Sequence, residues 1–387
     1  MNKPTKTFKK FGYRCFGSIL YSFCTWLLKD LEKNGIDKVF FLARDGAAIR
    51  RAFDTINETD IKSYYLYASR RAMIVPSLTD IIDITDIFSR ISIGKHISIR
   101  HLIKKIGLED LNVKDFLSAH NLNYDYEVDV NNIKDDKEVI SFLEDIKELM
   151  IENARNEKSD MKKYFKEMNF EGKIAIVDIG WHGTMQKAIV RATGNKEIYG
   201  YYMGIVPNTN KEDMHMKGFL FDNSYNERLY DKFRYFIGIF EFLFLAQEGS
   251  TKKYYNNKNG YLLYDYEYSD TSEKEYAIAI QEGAIEYIKD NKESENEECY
   301  KNLLKIMLHP SYKYAVLFGN IKFVDNEERY IAKPRGLSIY FRSPSEIKKD
   351  FIQANWRIGF LKRLLKIPLP YYRINELIRR AYFSKKG

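Results

Sequence analysis

Two stretches of the chain repeat one grammar, and no other feature restricts the possible folds as much. Asp37 to Ile56 reads DKVFFLARDGAAIRRAFDTI, with an apolar run from Val39 to Leu42, a polar turn Arg44-Asp45-Gly46 and a helical pattern from about Ala47. Ile174 to Ile189 reads IAIVDIGWHGTMQKAI, which gives a strand over Ile174 to Val177, a loop over Asp178 to Gly183 and a helix from Thr184. A second apolar run follows each helix, near Tyr64 to Ala68 and near Ile198 to Ile205. Short apolar runs alternating with helices build a parallel sheet, because a helical crossover is the usual way to return a strand in the same direction. Ligands of such sheets sit beyond the carboxyl ends of the strands. Arg44-Asp45-Gly46, Ser69-Arg70-Arg71 and Asp178 to Gly183 are therefore expected along one sheet edge.

The remaining segments read as additions to that sheet. A chain of 387 residues exceeds what one compact core usually organises, so one large domain with an insertion, or two domains, is expected. An amphipathic helix is expected near residues 17 to 33, ended by Gly35, within an N-terminal segment 1–36. Residues 37–76 and 172–270 form the α/β core. Residues 77–171, which contain the polar run DVNNIKDDKEV and no strong strand pattern, form a helical insertion or cap. One long apolar helix is expected from Glu227 to Ala246, carrying Glu241 among aromatics, and then a hairpin turning at Asn257 to Gly260. Residues 271–309 read as helical and 310–350 as irregular, within a region 271–353.

Charge is concentrated at the ends. The net charge is +8, and residues 354 to 387 hold nine basic side chains against the single acid Glu376. Five more basic residues fall within the first 20, which leaves the interior net acidic and argues against a nucleic-acid-binding body. In the tail the basic residues alternate with Trp356, Ile358, Phe360, Leu361, Leu364, Leu365 and Ile367. One reading is an interfacial segment on the anionic inner face of a membrane, and the other is a helix docked on the core with a solvated basic face. Hydrophobic residues at 45% exclude a disordered chain. Cys15, Cys24 and Cys299 are too few for a disulfide framework, so a reducing cytoplasm is the expected compartment. Lys29, Asp30 and Glu32 interrupt the first apolar run, so neither a leader peptide nor a spanning helix is expected there.

The loops suggest anion chemistry. A strand that delivers Asp178 into a turn bounded by Gly180 and Gly183, with Thr184 opening a helix, aims backbone N–H groups at one point. The competing reading is a tight connection in which Asp178 caps Gly183 or Thr184. Arg70-Arg71 suits a phosphate through bidentate contacts, or else pairs with Asp45 or Asp178. For Glu241 a helix carboxylate paired with an Arg or Tyr is the alternative to a functional acid, and for His182 a loop histidine bonded to backbone. His96 and His101 lie too far from acids or cysteines in the sequence for a metal site.

FFLARDGAAIRRAF, YYLYASRRAMIVPSL, IAIVDIGWHGTMQ and EFLFLAQEGS together resemble a module of bacterial capsule and O-antigen assembly proteins that is often fused to haloacid-dehalogenase-type phosphatases. That module is similar to type I phosphoribosyltransferases. The resemblance implies an α/β fold with a Rossmann-like parallel sheet, a helical insertion and a helical C-terminal region. It implies transfer of 5-phosphoribosyl from phosphoribosyl diphosphate (PRPP) to a glycan or lipid-linked oligosaccharide, with a partner phosphatase removing the 5-phosphate later. By the same resemblance Gly180, Trp181, His182, Gly183 and Thr184 hold the 5-phosphate, Asp178 the ribose hydroxyls, and Arg44, Asp45 and Gly46 the diphosphate. Mg²⁺ is then held mainly by the donor's diphosphate. Asp45, Asp178 and Glu241 are the candidate catalytic residues, with Ser69, Arg70 and Arg71 binding substrate. Trp181-His182 replaces the usual Thr-Gly pair and Ile179 the second of two acids, so Trp181 is open as an acceptor platform. A phosphatase or another glycosyltransferase, and a non-catalytic scaffold of the assembly complex, are the competing classes. The paired acids of the phosphatase signature are missing, so phosphatase activity is not expected.

Overall fold

A computed structural model describes the chain apart from residues 1, 92–93, 212–213, 223–225, 256–259, 266–271, 292–297, 326 and 384–387. Helix α1 (Lys3–Phe11) continues through a π-helical turn, Gly12–Phe16, into α2 (Gly17–Asn34), which Gly35 ends in the left-handed conformation. Next come β1 (Lys38–Leu42), α3 (Gly46–Ile56), β2 (Lys62–Leu66) and the short α4 (Arg70–Ile74). The insertion contains α5 (Asp86–Arg90), β3 (His96–Ser98), α6 (Ile99–Lys105), α7 (Lys114–Ala119), β4 (Glu127–Asp129), α8 (Lys137–Asp145) and α9 (Lys147–Glu167). The chain then returns to the sheet with β5 (Ile174–Trp181), α10 (Thr184–Thr193), β6 (Ile198–Ile205) and β7 (His215–Gly218).

β2, β1, β5, β6 and β7 form one parallel sheet in that order. The fold is therefore α/β and Rossmann-like, with helices on both faces. Side chains alternate across the pleat. Val39, Phe41, Ala175 and Val177 join α2, α3 and the C-terminal helices in one core, while Phe40, Leu42, Ile174 and Ile176 join α9 and α10 in another. The insertion has its own core, built from residues such as Ile99, Leu102, Val139 and Phe142. The order puts the change of winding direction between β1 and β5. After β1 the chain crosses to β2 on one side, and after β5 to β6 on the other. Such a switch point leaves a crevice beyond the carboxyl ends of the two strands.

Several expectations need correction. Strand β2 ends at Leu66, two residues before the expected Ala68. The insertion contains the antiparallel pair β3–β4, although no strand was expected there, and His96 lies on β3. Its three-residue strands are too short for periodicity to show them. The long helix expected from Glu227 to Ala246 is two short ones, α11 (Glu227–Phe233) and α12 (Ile237–Phe242), because the chain turns at Arg234 to Phe236. That break lets Phe233, Phe236 and Phe240 all enter the core. β8 (Thr251–Tyr254) and β9 (Tyr261–Leu263) form the expected antiparallel hairpin, although Asn257 to Asn259 of its turn fall outside the described residues.

Residues 310 to 350 are far from irregular. After α13 (Ser272–Asp290) and α14 (Lys301–Leu308) come α15 (Tyr312–Gly319), the antiparallel pair β10 (Lys322–Asp325) and β11 (Glu327–Tyr330), α16 (Leu337–Arg342) and α17 (Ser345–Gln353). The tail forms α18 (Arg357–Leu365) and α19 (Tyr371–Phe383). Trp356, Ile358 and Phe360 are buried in the same core as the sheet, and the Trp356 indole N–H donates to the Met307 carbonyl at 3.0 Å. These three aromatic and aliphatic anchors are docked on the protein, which corrects the reading that gave them to lipid. No helix among the described residues is long and apolar enough to cross a membrane.

Candidate functional site

The switch-point crevice gathers carboxylates from three elements. Asp45 follows β1 at the start of α3. Asp178 lies on β5 at the level of Tyr202 on β6, one residue beyond Val177, which pairs with Phe41 of β1. Glu241 comes from α12, and its Oε1 accepts the Trp181 indole N–H at 2.9 Å. Burial pushes the Asp45 carboxyl well above the usual range, and the charges of Asp178 and Glu241 push the same way against Arg44 and Arg70. Asp178 is pushed up to about 6, chiefly by burial and further by Glu241. The Ile179 N–H, bonded to its Oδ1 at 2.8 Å, and the Arg70 guanidinium pull it back. Acids whose charges act on one another cannot all ionise cheaply in a poorly hydrated place, which makes the group a candidate functional site.

The strand is longer than the sequence suggests. Asp178, Ile179, Gly180 and Trp181 lie on β5, which runs through the residues expected to form a loop, and the turn into α10 is only His182-Gly183. Gly180 has φ +108°, and a Cβ there would stand 2.5 Å from the Gly204 carbonyl oxygen. Its glycine is thus explained by the close approach of β6, and a phosphate is not needed to account for it. Trp181 adopts φ +83°, a conformation that costs a non-glycine residue roughly 1–3 kcal/mol. The indole stacks on Phe221 at 5.9 Å with an interplanar angle of 9°, and with the Glu241 bond this holds the strained residue in place. One face of the proposed acceptor platform is therefore already covered. His182 and Thr184 are exposed, and Gly183, at φ +63°, opens the ten-residue α10.

The arginines divide. Arg70 is exposed at the start of α4, close enough to Asp45 and Asp178 to stabilise both carboxylates. Arg44 precedes Asp45 and favours its ionised form; the Ala43–Arg44 peptide bond is cis. Arg71 does not join them. Its guanidinium is engaged by Glu157 and Glu109 and by the Lys252 carbonyl at 2.8 Å, locking α4 to α9, the insertion and the hairpin. Ser69 is likewise used structurally, since its hydroxyl accepts the Ala72 N–H at 3.0 Å and donates to the Thr251 carbonyl at 2.6 Å. Both were expected to bind substrate, and both instead hold α4 against its neighbours. Gly46 is required by packing, because a Cβ there would meet the Phe41 backbone at 2.8 Å.

Three residues at this edge carried no usable signal in the sequence. Lys105 of α6 is held below its ordinary pKa by burial and by Arg70, so the insertion brings a second cation beside that guanidinium. The Tyr65 hydroxyl donates to Glu248, and it also reaches the Arg44 carbonyl at 3.4 Å. Glu248 lies within the EFLFLAQEGS segment, but only the tertiary fold shows that it reaches β2. Among the described residues no group of three or more His, Cys, Asp or Glu is arranged to hold a metal ion alone. Asp45 and Asp178 can still supply one or two carboxylates to an ion whose other ligands are phosphate and water, which is how Mg²⁺ is commonly bound.

Taken as chemistry, the edge offers acids with raised proton affinity beside cations from α4, the β1 turn and the insertion. Such a set can bind a phosphorylated, hydroxyl-rich ligand and move a proton. No protein-family model matches the chain, and no curated protein matches it either.

Proposed function

We infer that the chain is a PRPP-dependent phosphoribosyltransferase of bacterial polysaccharide assembly, placing 5-phosphoribosyl on a glycan hydroxyl. The observation that carries this reading is the convergence of Asp45, Asp178 and Glu241 with Arg70 beyond the carboxyl ends of β1 and β5, where a parallel sheet leaves its binding crevice. In the reaction the bond from ribose C1 to the diphosphate oxygen breaks with its electron pair leaving on diphosphate. The acceptor oxygen bonds to C1, and its proton passes to a carboxylate. Arg70 and Arg44 stabilise the charge growing on the departing diphosphate, and Asp178 accepts hydrogen bonds from the ribose hydroxyls. Asp45 takes the proton, because a carboxylate of raised pKa is the stronger base. Asp45 or Asp178 would hold a Mg²⁺ ion that enters with the donor, which would supply neutralisation of the diphosphate charge. A separate phosphatase then removes the 5-phosphate.

The reading also puts the chain on the inner surface of the cell membrane. Supporting this, Ile367, Leu369 and Leu377 are 50%, 40% and 66% exposed on a segment that carries Lys362, Lys366 and Arg373. Vesicles containing anionic lipid should bind the chain, and binding should weaken as salt rises. Binding that ignores salt or lipid charge would remove this part of the reading.

The transfer itself is tested by incubating the protein with PRPP, Mg²⁺ and a panel of lipid-linked and free oligosaccharides, following diphosphate release. An acceptor-dependent release that Asp45→Asn lowers by about 10²-fold or more is expected. Release of inorganic phosphate from sugar phosphates, or turnover of a nucleotide sugar, would instead favour the competing enzyme classes.

A further inference from the structure

A second polar cleft opens between α11–α12 and the C-terminal helices. It has a volume of about 450 Å³, and its lining includes Arg234, Arg357, Arg379, Asn355, Asn375 and Glu241. Three guanidinium groups in one cleft of this size form a setting for phosphate, since each offers a planar fork of donors. Arg234 gives part of its capacity to Asp231 at 3.1 Å. Arg379 makes no ion pair among the described residues. Asn355 and Asn375 add carboxamide donors to the lining, and Asn375 is only 2% exposed.

Glu241 ties the cleft to the switch-point crevice. It lines the cleft and also accepts the Trp181 N–H, and its charge acts on Asp45 and Asp178. A ligand seated on the arginines would therefore lie beside the acids proposed to receive the acceptor's proton. We propose that this cleft is the acceptor subsite and that it recognises a phosphate or diphosphate ester attached to the acceptor sugar. The assignment as an acceptor subsite rests on the transfer reaction proposed above; the anion-binding assignment does not. The phosphate can come from a lipid-linked diphosphate or from a free sugar phosphate, and the two share the chemistry that Arg234, Arg357 and Arg379 recognise.

The test titrates the full chain, saturated with PRPP and Mg²⁺, with octyl diphosphate, methyl diphosphate and octanol. None of the three carries a sugar hydroxyl. Both diphosphates should bind and octanol should not, and Arg379→Ala and the exposed Arg234→Ala should each weaken diphosphate binding about tenfold or more. PRPP affinity should stay within about twofold for both variants, because neither residue belongs to the donor crevice. Tighter binding of octyl than of methyl diphosphate assigns a lipid-linked source, and equal binding a free one. Diphosphate binding that PRPP abolishes, that octanol matches, or that both arginine substitutions leave unchanged would overturn the proposal. If PRPP does not bind but octyl diphosphate binds through Arg379, the donor reading fails while the cleft's anion recognition stands.

Discussion

Asp178 shows how a single residue trades stability for chemistry. Its carboxyl is held near 6 in the fold, against about 3.9 in an unfolded chain. Between those values the native protein keeps a proton that the unfolded chain has released, so stability falls as pH rises through this window and levels off above it. Asp178→Asn should accordingly stabilise the protein by about 1–3 kcal/mol at pH 8, with the difference vanishing near pH 3. Urea unfolding at the two pH values measures it, and a destabilised variant at pH 8 would contradict the assigned burial. Gly180→Ala should act in the opposite direction, losing roughly 1–3 kcal/mol or more at any pH, since φ +108° and the Gly204 carbonyl both exclude a side chain. At this scale Asp45 and Asp178 were legible because an acid ending an apolar run has few places to go except a sheet edge. Arg71 was not legible, because its partners Glu109 and Glu157 lie 38 and 86 residues away and no local pattern announces them.

Among the elements, the N-terminal helix is buried more deeply than its sequence pattern suggests. Glycines let it approach α13 closely: a Cβ on Gly12 would stand 1.9 Å from the Ile280 carbonyl oxygen, and one on Gly283 2.0 Å from that of Lys9. Gly283→Val should therefore force the two helices apart and cost about 1–3 kcal/mol by overpacking, read as a lower urea midpoint with an unchanged slope. A midpoint equal to that of the parent protein would show that the helices do not meet there. The central strands were legible as continuous apolar runs, which is what burial on both faces requires. The pairs β3–β4 and β10–β11 were not, being three or four residues long, too short for a period-2 pattern to show. The turn at Arg234 to Phe236 was hidden for a different reason. It contains neither Gly nor Pro, and the demand that sets it is tertiary, namely the burial of Phe233, Phe236 and Phe240 together.

On the scale of the molecule, the basic tail is part of the sheet's own core up to at least Phe360, so the C-terminal region is structural before it is anything else. Trp356→Ala should cost about 3–5 kcal/mol through lost burial, and removing residues 354–387 should lower the melting temperature sharply as well as any lipid binding. A truncated chain with an unchanged melting temperature would return the tail to the role of a free anchor. Composition showed the charge but not the docking, since an amphipathic helix reads alike whether its apolar side meets lipid or protein. Binding of a phosphoribosyl donor at the β1–β5 edge is measured by calorimetric titration of PRPP with Mg²⁺ into the full chain and into its Asp178→Asn and Arg70→Ala variants. One binding site per chain is expected, weakened about tenfold or more by either substitution. Absence of binding, or binding that both substitutions leave unchanged, would contradict it.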